Sequence, residues 1–222
     1  SPKMAATRIA MEIPLFVWML MKALYANIGA SSCLLCRIIC PVKIAFASCP
    51  VLLFSREEAL LEILACLPRA HRVGCQALFF PPSMLGEEEG KEDKALPILK
   101  ERAAFYGVCL GFGYEKGGKE GYLIVSPDPQ WHSLESPSSF LLDQTRWTLL
   151  PSEEDSSPDD FCLCFAKGGD LASFHPNPNG RKDCACFLSD PKRFNVGVFR
   201  SGKLLCQLSP GSKAILVKEI DL

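Results

Sequence analysis

The chain has 222 residues, enough for one ordinary domain or for one domain plus a tethered segment. Apolar residues make up 48% and charged residues 22%, which permits a packed core and excludes a wholly disordered polyelectrolyte. The net charge of −1 offers no basic footprint for nucleic acid, so no nucleic-acid partner is expected.

That small sum hides an asymmetry. Residues 1–54 carry Lys3, Arg8, Lys22, Arg37 and Lys43 against Glu12, a net of +4, which leaves −5 for residues 55–222. The segment 1–54 is also the most apolar of the chain, above all over 14–54. A spanning helix needs about 20 mostly apolar residues. Lys22, Arg37 and Lys43 interrupt every run here before that length. A basic residue at the centre of a spanning helix costs about 2.5–3.5 kcal/mol. Three readings stay open: a membrane-associated or inserted segment, a buried helical core, and a cleaved signal with Ala26 near its cleavage point. The first is favoured, with a membrane or a protein as the partner through residues 14–54. A location at a membrane is accordingly placed ahead of a cytoplasmic one, and secretion behind both. None of Asn27, Asn177, Asn179 and Asn195 begins a glycosylation sequon, which weakens secretion.

The region 55–78 holds the clearest local signal. Ser55 followed by Glu58 forms a capping box. Ala59, Leu60, Ile63, Leu64 and Leu67 make one apolar stripe, and Pro68 is expected to stop the helix. Residues 79–102 read as a charged linker rich in Pro and Gly, with a helix at about 91–105 bent or interrupted at Pro97. From 103 to 222 the pattern turns to short strands. Residues 104–112 and 121–126 read as a hairpin around GYEKGGKE, 113–120. That turn nearly spells a phosphate-binding loop through Gly113, Gly118 and Lys119. Glu120 ends it without a hydroxyl and with the wrong charge, so no nucleotide is expected. Residues 140–150 fit either strand or helix, and the acidic stretch 151–160 reads as an exposed linker. FCLCFA, CACFL, FNVGVF, KLLCQL and AILVKEI then read as a five-stranded meander.

Twelve cysteines are spread along the chain. Cys162, Cys164, Cys184 and Cys186 form two C-x-C pairs. Residues i and i+2 of a strand share a face. Antiparallel pairing would set Cys162 against Cys186 and Cys164 against Cys184. Four sulfurs on one face are a candidate zinc site, with His175 as an alternative ligand. A flat face is a poor tetrahedron, however, and cross-strand disulfides or plain buried thiols compete with zinc. No other cofactor is indicated. No nucleophile elbow, zinc-protease helix or calcium loop occurs, and His71, His132 and His175 lie far apart, so no catalytic residue is assigned.

Residues 190–212 are similar to part of calponin-homology domains through Asp190, Pro191, Phe194, Gly202, Leu205, Cys206 and Leu208. The resemblance covers 23 residues and implies a helix, whereas FNVGVF favours a strand.

The expectation is therefore an α+β chain with an apolar helical N-terminal region, a β-rich C-terminal region of short antiparallel strands, and parts that are poorly ordered. Its expected role is that of a non-enzymatic membrane-associated or interaction protein. One alternative is a small cysteine-rich metal-binding module at 160–210. Another is a fragment, or a chain weakly selected for folding, since the first methionine is Met4 and local signals conflict.

Overall fold

The computed structural model describes residues 42–51, 54–86, 94–128, 134–135, 139–142, 145–150, 161–166, 171, 183–188, 190 and 192–220. All lie in one compact unit, Val42–Leu222. The unit is mixed α/β and rich in strand, with two six-stranded sheets and, among the described residues, two helices.

β1 (Val42–Ser48) and β2 (Ala77–Phe79) are parallel, joined through α1 (Arg56–Arg72). β2 and β3 (Cys109–Lys116) are also parallel, joined through α2 (Ala95–Tyr106). β4 (Lys119–Val125) and β5 (Leu134–Glu135) extend this sheet antiparallel beyond β3. The second sheet holds β6 (Ser139–Leu142), β7 (Thr145–Leu150), β8 (Phe161–Ala166), β9 (Asp183–Leu188), β10 (Asn195–Arg200) and β11 (Lys203–Gln207), side by side in chain order. The final strand β12 (Ala214–Ile220) leaves that sheet and pairs antiparallel with β1.

Strand alternation sorts the side chains into layers. Ile44, Phe46, Phe79 and Ile124 from the first sheet meet Leu163, Phe187, Val196 and Val198 from the second. Phe46 packs edge-on against Phe187 at 6.1 Å, and Tyr122 tilts against Phe165 at 5.3 Å. The opposite face of the first sheet, with Ala45, Leu78, Leu110 and Leu123, packs on Ile63 and Leu67 of α1 and Leu99 and Ala103 of α2.

These layers overturn the reading of the last part of the front end, from residue 42; residues 14–41 lie outside the described residues. Residues 42–48 form neither a helix nor a lipid-facing segment. They are a central strand with β12 on one side and β2 on the other, and Ile44, Ala45 and Phe46 are fully buried by later parts of the same chain. A parallel strand covered on both faces reads as a continuous apolar run, as a membrane segment does. Lys43, which looked costly in lipid, reaches Glu219 of β12 at 3.1 Å on the surface. No helix among the described residues is long and apolar enough to cross a membrane. The helix expected at about 10–27 lies outside the described residues.

Other elements differ in instructive ways. The capping box is present: Ser55 Oγ accepts from Glu58 N–H at 3.2 Å, and Glu58 Oε2 accepts from Ser55 N–H at 2.8 Å. Pro68 does not stop α1, which runs on to Arg72. Proline removes one helical amide, but Ala70 in the next turn is fully buried and anchors it. Pro97 lies in the first turn of α2, where an amide has no helical partner to lose. The near phosphate loop is a two-residue hairpin turn, Gly117–Gly118, both with positive φ, closing Lys116 against Lys119.

The rear region is not a single meander of antiparallel strands. β7, β8 and β9 are parallel, and β12 belongs to the other sheet. Residues 160–210 are thus part of a larger sheet and not a separate module. The calponin-homology resemblance fails at β10–turn–β11, which is strand throughout where that family is helical.

Candidate active site

Parallel strands in open α/β sheets present ligand sites at their C-terminal ends. In the first sheet, β1 ends at Ser48 and is followed by Cys49. α1 starts above that edge and packs back across the sheet. Its spacing puts Glu62 and Cys66, four residues apart, on one face. β12 approaches the same edge, since its first residue Ala214 pairs with Ser48, so Lys213 arrives beside Cys49.

The side chains converge. Cys66 Sγ–H donates to Glu62 Oε1 at 3.6 Å. Lys213 Nζ pairs with Glu62 Oε2 at 2.5 Å and lies 5.3 Å over the Phe54 ring. Cys49 Sγ–H donates to Met84 Sδ at 3.5 Å. Exposure falls steadily inward, from 53% at Lys213 through 13% at Glu62 to 3% at Cys66. The group is therefore reached from solvent past the lysine.

Burial pushes the Cys66 thiol up to about 12, helped by the charge of Glu62 and the hydrogen bond to it, and opposed by Arg69 and Lys213. Burial also raises Cys49 far above the ordinary thiol range, with Cys66 and Glu62 adding to it. Both are neutral thiols at pH 7. Cys66 has a carboxylate in reach to take its proton, and Cys49 has a thioether. The two cysteines are therefore chemically distinct despite similar burial.

The same edge holds two further features. Ser48 Oγ is buried with no hydrogen-bond partner among the described residues. After β2, residues 80–86 run alongside β3: Gly113 N–H donates to Pro81 C=O, and Leu85 N–H to Gly113 C=O. A Cβ on Gly113 would sit 2.2 Å from the Ser83 nitrogen, so only glycine admits this approach. Tyr122 Oη donates to Phe80 C=O at 2.8 Å and pins the segment from the inter-sheet side.

The cysteines singled out in the sequence lie elsewhere. β8 and β9 are parallel, so Cys162 pairs with Cys184 and Cys164 with Cys186, the reverse of the antiparallel expectation. Cys164, Cys184 and Cys186 are buried on the face of the second sheet turned away from the inter-sheet core. Cys164 Sγ and Cys184 Sγ are 3.1 Å apart. Among the described residues no three His, Cys, Asp or Glu side chains converge as a metal site. His175 lies outside the described residues. His71, the one described histidine, has Nδ1 2.8 Å from the Tyr106 carbonyl oxygen.

The Glu62–Cys66–Lys213 group was missed. The i, i+4 pair was readable on a helix already recognised. Lys213 was not, because only the return of β12 to β1 brings it there.

No family model matches the sequence, and no curated protein matches it. Solved structures do. The chain is similar to the amidase from Nesterenkonia sp. AN1 in complex with acrylamide, at 14% identity and TM-score 0.60, over 81% of this chain and 90% of that one. A glutamate-to-leucine mutant of the same amidase, carrying the acetamide moiety of fluoroacetamide on its active-site cysteine, matches equally, at 14% identity, TM-score 0.60 and the same 81% and 90%. A glutamine-dependent NAD(+) synthetase from Cytophaga hutchinsonii matches at 15% identity and TM-score 0.51, over 82% of this chain and 43% of that one. Identity this low speaks to fold. The solved structures it resembles are enzymes, which overturns the expected non-enzymatic membrane-associated or interaction protein, and no helix among the described residues is long and apolar enough for the expected membrane location. The chain has the two-sheet fold of the nitrilase-superfamily amidases.

Proposed function

We propose that this chain hydrolyses the carbon–nitrogen bond of a small amide, with Cys66 as nucleophile and Glu62 as its base. The observation that carries the reading is the likeness, over four-fifths of the chain, to an amidase that acts through a cysteine. The Cys66–Glu62 hydrogen bond supplies a nucleophile and base within reach of each other.

The steps balance on these residues. Cys66 Sγ bonds to the amide carbonyl carbon while its proton passes to Glu62 Oε1. The tetrahedral adduct breaks its C–N bond, and the leaving nitrogen takes the proton from Glu62 and departs as ammonia or an amine. Water attacks the thioester, giving a proton to Glu62. The thiolate leaves as the carboxylic acid forms, and recovers that proton. Lys213 orients the carboxylate from the solvent side. A thiol held near 12 has almost no standing thiolate at pH 7, so attack depends on proton transfer to Glu62 in the same step. Cys66 is 3% exposed, which limits the substrate to a short acyl group.

Ammonia release from acrylamide and butyramide tests the reading. Release should disappear in Cys66→Ala, fall about 10²–10⁴-fold in Glu62→Gln, and persist in Cys206→Ala. Turnover that survives Cys66→Ala, or a wild-type chain inert toward every short amide, rules it out.

A further inference from the structure

We propose that the turn at residues 209–212 is a positioning device for the Cys66 group: Gly211, tied to the second sheet, holds Lys213 on the Glu62 carboxylate beside the first. Gly211 touches no reacting atom and is a positioning residue. Its effect on turnover rests on the hydrolytic role given to Cys66 and Glu62; the placement of Lys213 does not.

Lys213 has a long rotatable stem and is 53% exposed. An exposed ion pair made by such a side chain is ordinarily weak, because fixing the stem offsets most of the attraction. Its pairing with Glu62 therefore calls for a backbone already held close to the target. The Phe54 ring, 5.3 Å from Nζ, steadies the stem. The backbone is held from both sides. After Lys213, Ala214 pairs with Ser48 in the ladder between β12 and β1. Before it, Leu208 N–H donates to Val196 C=O at 3.2 Å, and Gly211 N–H to Phe194 C=O at 2.9 Å. The chain leading into Phe194 is itself fixed, since Asp190 Oδ1 accepts from the N–H groups of Lys192 and Arg193 at 2.8 Å each. Residues 212 and 213 alone bridge the two anchors.

The sequence SPGS sets the path of the turn. Pro210 presets φ at its second position, and Gly211 at the third has φ +73°, the sign that a type II turn requires there. Ser212 N–H closes it by donating to Ser209 C=O at 3.0 Å. A Cβ on Gly211 would be strained at this φ and would meet the Lys192 carbonyl oxygen at 3.0 Å. The turn must then shift, and Lys213, two residues on, shifts with it. The consequence falls on Glu62, whose terminal torsion is soft. With Lys213 on Oε2, Oε1 stays on the Cys66 thiol. With Lys213 displaced, the carboxylate swings away from the sulfur.

The test crosses two substitutions in the full chain, with butyramide as substrate. Gly211→Ala should lower kcat about 10–10²-fold and leave KM within about twofold. In a Lys213→Ala chain, itself slower than wild type, the same glycine change should cost nothing further. Equal losses in both backgrounds overturn the proposal, since strain alone does not need the lysine. A second arm reads the lysine directly, by competitive acetylation with acetic anhydride and peptide mass mapping. Lys213 should react about three- to fivefold more slowly than the exposed Lys203 of β11 in the wild type, and as fast as Lys203 in Gly211→Ala. A Lys213 rate unchanged by the glycine substitution overturns the proposal. If butyramide is inert toward every chain, the hydrolytic reading fails and the acetylation rates alone decide the positioning. If Gly211→Ala loses the wild-type circular dichroism, Pro210→Ala, which loosens the same turn without adding atoms beside Lys192, takes its place in both arms with the same two outcomes.

Discussion

Both sheets place three parallel strands inside antiparallel neighbours: β1, β2 and β3 in the first, β7, β8 and β9 in the second. They differ in what joins those strands. The first sheet's connections, 49–76 and 80–108, carry α1 and α2, which cover its outer face with Ile63, Leu67 and Leu99. The second sheet's connections, 151–160 and 167–182, are shorter, at ten and sixteen residues. Its outer face carries Cys164, Cys184 and Cys186 where the first sheet carries leucine and phenylalanine. The comparison teaches that one strand plan serves two ends. Long connections bring a helix whose buried face adds Glu62 and Cys66 at a strand edge. On the second sheet the corresponding face sets Cys164, Cys184 and Cys186 among Leu188 and Phe199.

The comparison breaks most sharply on activity. Cys66→Ala, under the first sheet's helix, should lower amide turnover by about 10⁴-fold or more. Cys206→Ala, in the second sheet, should leave it within twofold of wild type, about 0.4 kcal/mol of barrier. Equal losses from both would make the effect one of folding.

Stability should follow the same division. Gly113→Ala in the first sheet drives a methyl into the Ser83 backbone at 2.2 Å, and about 3 kcal/mol or more should be lost. Gly197→Ala in the second meets the side-chain tips of Leu204 at 2.9 Å and Leu171 at 3.2 Å, which can shift, and the Cys206 carbonyl oxygen only at 3.4 Å, and about 1 kcal/mol is expected. Urea midpoints of the two variants measure the gap, and a milder Gly113 variant contradicts the packing described at the end of β2.

Thiol burial predicts a pH effect in the first sheet. Burial alone pushes Cys109 up to about 12. In the unfolded chain it ionises near 8.5. The folded state thus keeps a proton that the unfolded state gives up. The stabilisation is fully present below about pH 8.5 and is lost as pH climbs toward the folded value. Cys109→Ala should flatten the decline in unfolding free energy, read from urea titrations, above pH 8.5 by about 1.4 kcal/mol per pH unit. A parallel decline in both chains contradicts this burial. The smallest effect is at the capping box: Ser55→Ala should cost about 1 kcal/mol, read as a lower thermal midpoint.

Local chemistry made much of the fold legible. The Ser55–Glu58 box, the Gly117–Gly118 hairpin and the rear strands all follow from residues near one another in the chain. What was not legible depends on pairing at a distance. Nothing in FCLCFA or CACFL says that these strands run parallel, and the direction decides which cysteines are neighbours. Nothing near Val42 says that β12, some 170 residues later, will lie beside it and turn an apolar run into a core strand. The candidate site fails to show for the same reason. Glu62 and Cys66 are local, but their meaning depends on Lys213 and on the strand edge beneath them.

The most direct measurement is peptide mapping of the native chain after exposure to fluoroacetamide, whose acetamide moiety adds to the active-site cysteine in a glutamate-to-leucine mutant of the similar amidase. The account predicts one acetamide adduct, on Cys66, formed far more slowly in Glu62→Gln. An unmodified Cys66 beside labelled cysteines elsewhere, or equal labelling with and without the Glu62 carboxylate, would contradict it.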